Sequence, residues 1–107
     1  RGMLLVVARE DSPESIRLTI EVGGRFDPNR TASGRLLLSD RGTTMTATNE
    51  TIEGVDDAVV RIGSPDGAIH AALAVSWLRS RKGAKKPTAI MASLKSAAKS
   101  IHETLGI

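Results

Sequence analysis

The spacing of hydrophobic residues changes along the chain and predicts which segments are strands and which are helices. Residues 3–10 form a nearly continuous apolar run, which predicts a first, central strand covered on both faces. After the turn-like segment DSPES, apolar and polar residues alternate over residues 16–22, which predicts a second strand with one wet face. Gly23 and Gly24 end this strand. The two segments together predict a hairpin.

A second hairpin is predicted further along the chain. Residues 58–62 alternate, residues 64–67 have the turn composition Ser-Pro-Asp-Gly, and the alternation returns over residues 69–75. The threonine-rich segment before it, residues 43–51, predicts a short strand or an extended loop.

Two segments have helical spacing. The segment RTASGRLLLS, residues 30–39, predicts a short helix with Thr31 or Asn29 as its N-cap. Gly34 costs about 1 kcal/mol relative to alanine inside a helix, so we expect it to allow a close backbone approach. From Pro87 to Gly106 an amphipathic helix of about 18 residues is predicted. Its apolar stripe consists of Ile90, Met91, Leu94, Ala98, Ile101 and Leu105.

Two hairpins and two helices predict an α+β domain, with helices on one or both faces of an antiparallel sheet. The 107 residues fit a single domain, residues 1–107, and 40% hydrophobic with 25% charged residues is ordinary for a folded protein. Because no apolar run approaches about 18 residues, we expect no membrane segment. Cysteine is absent, which fits a reducing cytosol, so we expect a cytoplasmic protein.

The formal net charge of +3 raises the question of nucleic-acid binding. One dense basic cluster is present, and it consists of Arg79, Arg81, Lys82, Lys85 and Lys86. It contains no aromatic residues on which bases could stack. We therefore predict a solvated loop, with direct nucleic-acid binding as a weaker alternative.

No group of residues has the spacing of a catalytic or metal site. His70 is predicted inside a strand on the face of Ala72 and Ala74, and His102 lies beside Glu103 on the last helix. The pair Asp56-Asp57 resembles half of an acidic site, although a solvated strand start is the commoner explanation. We expect a protein that is not an enzyme and that uses neither metal nor cofactor.

Three blocks of the sequence resemble the effector-binding domain of IclR-type transcription regulators. Residues 15–39 are similar to a stretch that has an apolar strand, a V-G-x-R turn, a proline and then T-A-x-G-[KR]-x-L-L. Residues 41–76 resemble the R-G-Y block, an acidic pair, G-V-x-x-[IL]-A, a D-x-x-G hairpin and A-A-L-S-V-S. The final helix ends in L-G, as the last helix of the family commonly does. The blocks follow the family's order and cover nearly the whole chain.

The resemblance implies a GAF-like antiparallel sheet with flanking helices and a long C-terminal helix. Its concave side would hold a small effector, often a carboxylate metabolite. It also implies a homodimer or tetramer that binds operator DNA through an N-terminal winged helix-turn-helix, which this sequence lacks. Carried over, the ligand-binding residues are Ala32, Ser33, Asp57, Ala74 and Ser76. A helix N-terminus is a suitable binding place for a carboxylate, and serine hydroxyls could add hydrogen bonds to the ligand. The sequence is equally consistent with purely structural roles, in which Ser33 helps to cap the helix and Ser76 ends a strand.

The sequence departs from the family in three places. A longer helical region normally precedes the R-G-Y block, whereas Ser39 here runs directly into Asp40. Either the chain is naturally shorter here or, as we expect, residues are missing at this point. The usual S-V-S reads A-V-S and the next two residues are W-L, so a less polar effector is expected. Finally, Asp57 would repel a carboxylate ligand within about 4–6 Å. Either Asp57 points away from the pocket, or the effector is neutral or cationic.

The sequence thus predicts an effector-binding domain in which a small molecule modulates DNA binding by the oligomer. The alternative is a structural or dimerisation module with a degenerate pocket.

Overall fold

The computed structural model describes residues 2–11, 21–48, 52–79 and 86–107. These residues form a mixed α+β structure, as predicted, with helices on both faces of an antiparallel sheet. The elements in chain order are β1 (Leu4–Leu5), β2 (Arg25–Phe26), a 3₁₀ turn (Pro28–Arg30), α1 (Ala32–Leu38), β3 (Thr44–Thr48), β4 (Val55–Ile62), β5 (Ala71–Leu78) and α2 (Pro87–Leu105). Among them, no helix is both long and apolar enough to cross a membrane.

The central strand is β4, which pairs antiparallel with β3 on one side and β5 on the other. The register with β5 runs without interruption from Val55 opposite Leu78 to Ile62 opposite Ala71. This confirms the second hairpin, and β3 confirms a strand in the threonine-rich segment. Nearly every residue of β4 is buried because a helix covers each face of the sheet.

The long helix α2 covers one face of the sheet. Leu94 and Ala98 are its buried residues, and they pack against the apolar side chains of β4. The helix begins at Pro87 and ends where Gly106 adopts a left-handed φ of 71°, which confirms the predicted helix. Leu105 is 56% exposed, so its predicted place in the buried stripe is wrong. It lies one turn beyond Ile101, which still packs against the sheet.

The short helix α1 covers the opposite face. Thr31 is its N-cap, because the Oγ1 of Thr31 accepts a hydrogen bond from the backbone N–H of Gly34 at 2.9 Å. A Cβ on Gly34 would overlap the backbone of Pro28, which confirms that this glycine allows a close approach. Ala32 and Leu36 are buried in a cluster with side chains of β3 and β4.

The first strand differs from its prediction. It pairs not with the main sheet but with the two-residue strand β2, where Leu4 lies opposite Phe26 and Leu5 opposite Arg25. Leu5 is 50% exposed and Val7 is 76% exposed, so the expectation of a central strand covered on both faces is wrong. In the β1–β2 pair, Leu4 and Phe26 are half-buried and Leu5 and Arg25 are exposed. Most of the predicted second strand, residues 16–22, lies outside the described residues.

The connection from α1 to β3 is short and well bonded. The Oγ of Ser39 donates to the carbonyl oxygen of Leu36 at 2.6 Å and accepts from the N–H of Gly42 at 3.1 Å. The helix therefore leads into β3 within residues 39–43, and local geometry requires no longer segment here. That residues are missing at this junction stays a prediction.

Candidate functional site

Alternate residues of a strand point to opposite sides of a sheet, which divides β4 and β5 between the two helices. We call the side covered by α1 the α1 face. It carries Ala32, Leu36, Ala47 and Val59 in one buried cluster, against which Met45 and Ala72 pack. By alternation, Asp57, Ala74 and Ser76 belong to this face as well.

Three of the five predicted ligand-binding residues form a continuous patch on the α1 face. Asp57 lies directly opposite Ser76 in the β4–β5 register, and the hydroxyl of Ser76 donates a hydrogen bond to Oδ1 of Asp57. Ala74 is two residues from Ser76, opposite Val59. Asp57 is only 7% exposed, whereas Ser76 is half-buried and Ala74 is exposed. The patch therefore has a buried carboxyl group beside surface that a solute can reach.

The other two predicted residues lie in the first turn of α1. Ala32 is buried in one cluster with Ala47, and Ala47 is the cross-strand partner of Asp57. At the other end of the helix, the carbonyl oxygen of Leu36 is bound by Arg61. The C-terminal part of α1 is thus bound to β4. Ser33, also in the first turn, is half-buried. The fold brings all five predicted residues to the same side of the sheet.

Arg61 lies at the C-terminal end of α1, where a positive charge interacts favourably with the helix dipole. Asp57 lies on the α1 face together with Ser76.

Arg61 is a structural residue that the sequence analysis missed. It is 2% exposed, and its Nε donates to the carbonyl oxygen of Gly42 at 2.7 Å. Its Nη2 donates to the carbonyl oxygens of Leu36 at 2.5 Å and Ser39 at 3.0 Å. The alternating pattern over residues 58–62 assigned this arginine no role. The available signal was a charged residue in the apolar segment AVVRI, because such a residue needs buried acceptors when both faces are covered.

The remaining candidates do not assemble into a site. Asp56 faces away from Asp57 and pairs with Arg79 at 3.3 Å, so the two carboxylates do not act as an acidic pair. His70 precedes β5 and is exposed, which corrects its predicted place inside the strand. His102 accepts a hydrogen bond at Nε2 from the N–H of Gly63 at 2.8 Å. In the described part of the chain, no group of three or more histidine, cysteine or acidic residues could hold a metal ion.

Two other surface features lie away from the α1 face. An open, mostly apolar depression of about 250 Å³ lies on α2 and is lined by Ser100, Ile101, Thr104 and Leu105. The predicted basic loop is described only at its two ends, Arg79 and Lys86, both of which are exposed. Residues 80–85 lie outside the described residues.

No known protein family, curated protein or solved structure matches the chain. The resemblance to IclR-type effector domains stays a prediction from the three sequence blocks.

Proposed function

We propose that this chain is the effector-binding domain of a transcription regulator of the IclR type. A small molecule would bind on the α1 face and change how tightly the oligomer binds operator DNA. The domain itself would bind the effector without transforming it. DNA contacts would come from a winged helix-turn-helix outside these 107 residues.

The observation that carries the proposal is the position of Ser76 and Asp57. The resemblance selected these two residues although they are 19 positions apart in the sequence, and they are hydrogen-bonded cross-strand neighbours. Ala74 and the first turn of α1 lie on the same side of the sheet. Residues chosen by a pocket pattern would scatter over both faces if the pattern were accidental. Their grouping supports a GAF-like arrangement with a ligand site at this position.

The regulatory step would be a shift between two arrangements of the oligomer. An effector shifts such an equilibrium only by as much as its affinities for the two arrangements differ. The α1 face suits this role because α1 is short and is joined to β4 through Arg61. A ligand beside Asp57 would change the contacts of this helix with the sheet, while Arg61 holds its C-terminal end.

The test is a thermal-unfolding screen of the chain with a library of small metabolites. Trp77, the single tryptophan, is partly buried against the apolar cluster between β4 and α2. Its fluorescence therefore reports unfolding. We expect at least one compound to raise the melting temperature, because a ligand at 100 times its Kd stabilises the folded state by about 2.7 kcal/mol. A well-folded sample that unfolds cooperatively but responds to no compound would contradict the proposal.

A structural or dimerisation module is the second candidate. The observation that favours it is the exposed apolar surface of the β1–β2 ribbon and its turn, where Met3, Leu5, Val7 and Val22 are at least half exposed. Exposed apolar patches commonly mark protein interfaces. This candidate predicts an oligomer whose size does not respond to metabolites, together with an unresponsive melting temperature. Size-exclusion chromatography with and without the screened compounds distinguishes the two.

A further inference from the structure

His102 joins the end of α2 to the turn between β4 and β5. Its Nε2 accepts a hydrogen bond from the backbone N–H of Gly63 at 2.8 Å. Gly63 directly follows β4, which ends at Ile62, and has a left-handed φ of 86°. The backbone carbonyl of His102 also accepts the N–H of Ile107 at 3.0 Å, where the helix ends. One residue therefore takes part in the end of the helix and in its contact with the turn.

The direction of the bond to Gly63 requires neutral His102. A backbone N–H can only donate, so Nε2 must offer a lone pair. In a neutral imidazole one ring nitrogen accepts, whereas in an imidazolium both nitrogens carry protons and neither accepts. Neutral His102 with its proton on Nδ1 makes this bond, and protonated His102 would turn an N–H toward the N–H of Gly63. Histidine is the side chain that ordinarily changes its charge between about pH 5 and pH 8.

No buried charge faces His102 in the described part of the chain. The charged and titratable groups of the elements around it are Lys95, Lys99 and Glu103 on α2, Asp66 and His70 between β4 and β5, and Asp56, Asp57 and Arg61 on β4. Strand β5 has none. Asp57 and Arg61 belong to the α1 face, on the other side of the sheet. Asp56 lies at the far end of β4, where it pairs with Arg79.

The remaining influences favour opposite protonation states of the histidine. Lys99, Glu103, Asp66 and His70 are exposed, so water and salt screen their charges. The C-terminal end of α2 carries a partial negative charge, which favours a protonated histidine in the last turn. The bond from Gly63 favours the neutral form. Lowering the pH therefore exchanges one interaction for the other, and the contact with the turn is the one that is lost.

The turn keeps its own shape without this bond. The N–H of Gly67 donates to the carbonyl oxygen of Ser64 at 3.0 Å, and Ile69 packs against the apolar cluster between β4 and α2. The buried residues of α2, Leu94 and Ala98, lie nearer its middle. Loss of the bond to His102 would therefore loosen the joint between the turn and the end of the helix and leave the turn and the core intact.

We propose that His102 is a pH-sensitive switch: its neutral imidazole fastens the turn after β4 to the end of α2, and its protonation releases this contact. The switch lies on the α2 side of the sheet, so it is independent of a ligand on the α1 face. It goes beyond the proposed function and holds or fails separately from it.

The experiment follows the isotope-labelled chain by NMR from about pH 8 to about pH 5. The imidazole signals of His102 report its protonation, and the amide proton of Gly63 reports the bond. We expect the Gly63 amide signal to move upfield as the bond is lost, with the same midpoint as the imidazole. The amide of Gly67, which is bonded within the turn, should move much less. A Gly63 amide that stays in place while His102 titrates, or a His102 that does not titrate in this range, would overturn the proposal.

Two variants assign the effect to one histidine. His102→Gln retains an acceptor but does not titrate in this range, so the movement of the Gly63 amide with pH should disappear. The matched control is His70→Gln, which removes the exposed histidine before β5 and should leave the movement unchanged. The same movement in His102→Gln as in the unaltered chain, or its loss in His70→Gln, would overturn the proposal. The titration of the unaltered chain decides even if a variant folds poorly.

Discussion

Arg61 donates a hydrogen bond from Nη2 to the carbonyl oxygen of Leu36, which ties the central strand to the C-terminal end of α1. The last carbonyl groups of a helix have no partner within the helix, and Arg61 supplies one from the sheet. The same side chain reaches the carbonyl oxygens of Ser39 and Gly42. One buried arginine thus fixes the end of α1 and the turn into β3, and thereby holds the helix over the candidate site.

Replacing Arg61 should weaken the fold strongly. Arg61→Met removes the donor from the carbonyl groups of Ser39 and Gly42, while the carbonyl of Leu36 keeps its bonds from Ser39. Because each buried unsatisfied acceptor costs about 1 kcal/mol or more, the free energy of unfolding should fall by about 2 kcal/mol or more. Arg61→Lys keeps the positive charge but not the planar guanidinium group, so the free energy of unfolding should fall less than in Arg61→Met. Denaturant unfolding followed by Trp77 fluorescence measures both values.

The matched control for Arg61 is Arg79→Met at the end of β5. Arg79 is 44% exposed in its side chain and pairs with Asp56, and exposed ion pairs contribute up to about 1 kcal/mol. If Arg79→Met destabilised the chain as much as Arg61→Met does, the special role of Arg61 would be refuted. Arg61→Lys keeps the test informative even if Arg61→Met does not fold.

Gly34→Ala should destabilise the chain although alanine favours helices. Alanine gains about 1 kcal/mol over glycine in a helix interior, but its Cβ would overlap the backbone of Pro28, which cannot rotate away as a side chain can. Forced overlap of this kind costs about 1–3 kcal/mol, which we expect to exceed the gain. The melting temperature should therefore fall. Ser96→Ala, on the exposed side of α2, should instead leave it unchanged or raise it slightly.

His102 should contribute to stability through its acceptor nitrogen. His102→Leu removes the acceptor for the N–H of Gly63, which should cost about 1–3 kcal/mol, whereas His102→Gln retains an acceptor and should lose less. His70→Leu changes the other histidine, which is exposed, and should stay within about 0.5 kcal/mol of the unaltered chain. Thermal unfolding of the unaltered chain and the three variants measures these differences. Equal stability of His102→Leu and His102→Gln would contradict a role of His102 as a hydrogen-bond acceptor.

Capping residues, prolines and glycines predicted the ends of the helices and one close backbone contact. Pro87 and Gly106 mark the ends of α2, Thr31 caps α1, and Gly34 marks the contact with Pro28, because caps and glycines act within a few residues. The partner of β1 was not predictable in this way. An apolar run indicates that a strand can be buried, but it does not identify the element that buries it. In the structure, β1 pairs with β2 instead of the main sheet.

The sequence could name candidate residues for the site but not their arrangement. The sequence pattern named Ser76 and Asp57 and left the direction of Asp57 open. Only the cross-strand register puts the two side chains opposite each other and commits the Ser76 proton to Asp57. Arg61 was missed for a related reason, since its burial follows from the helix that packs above it and not from its neighbours in sequence.

Amide chemical-shift mapping tests whether a small effector binds on the α1 face. The labelled chain is titrated with the compound that raises the melting temperature most in the metabolite screen. The largest shifts should fall on Ser33, Asp57, Ala74 and Ser76. Shifts confined to the α2 depression at Ser100, Ile101, Thr104 and Leu105, or no shifts at all, would contradict binding on the α1 face.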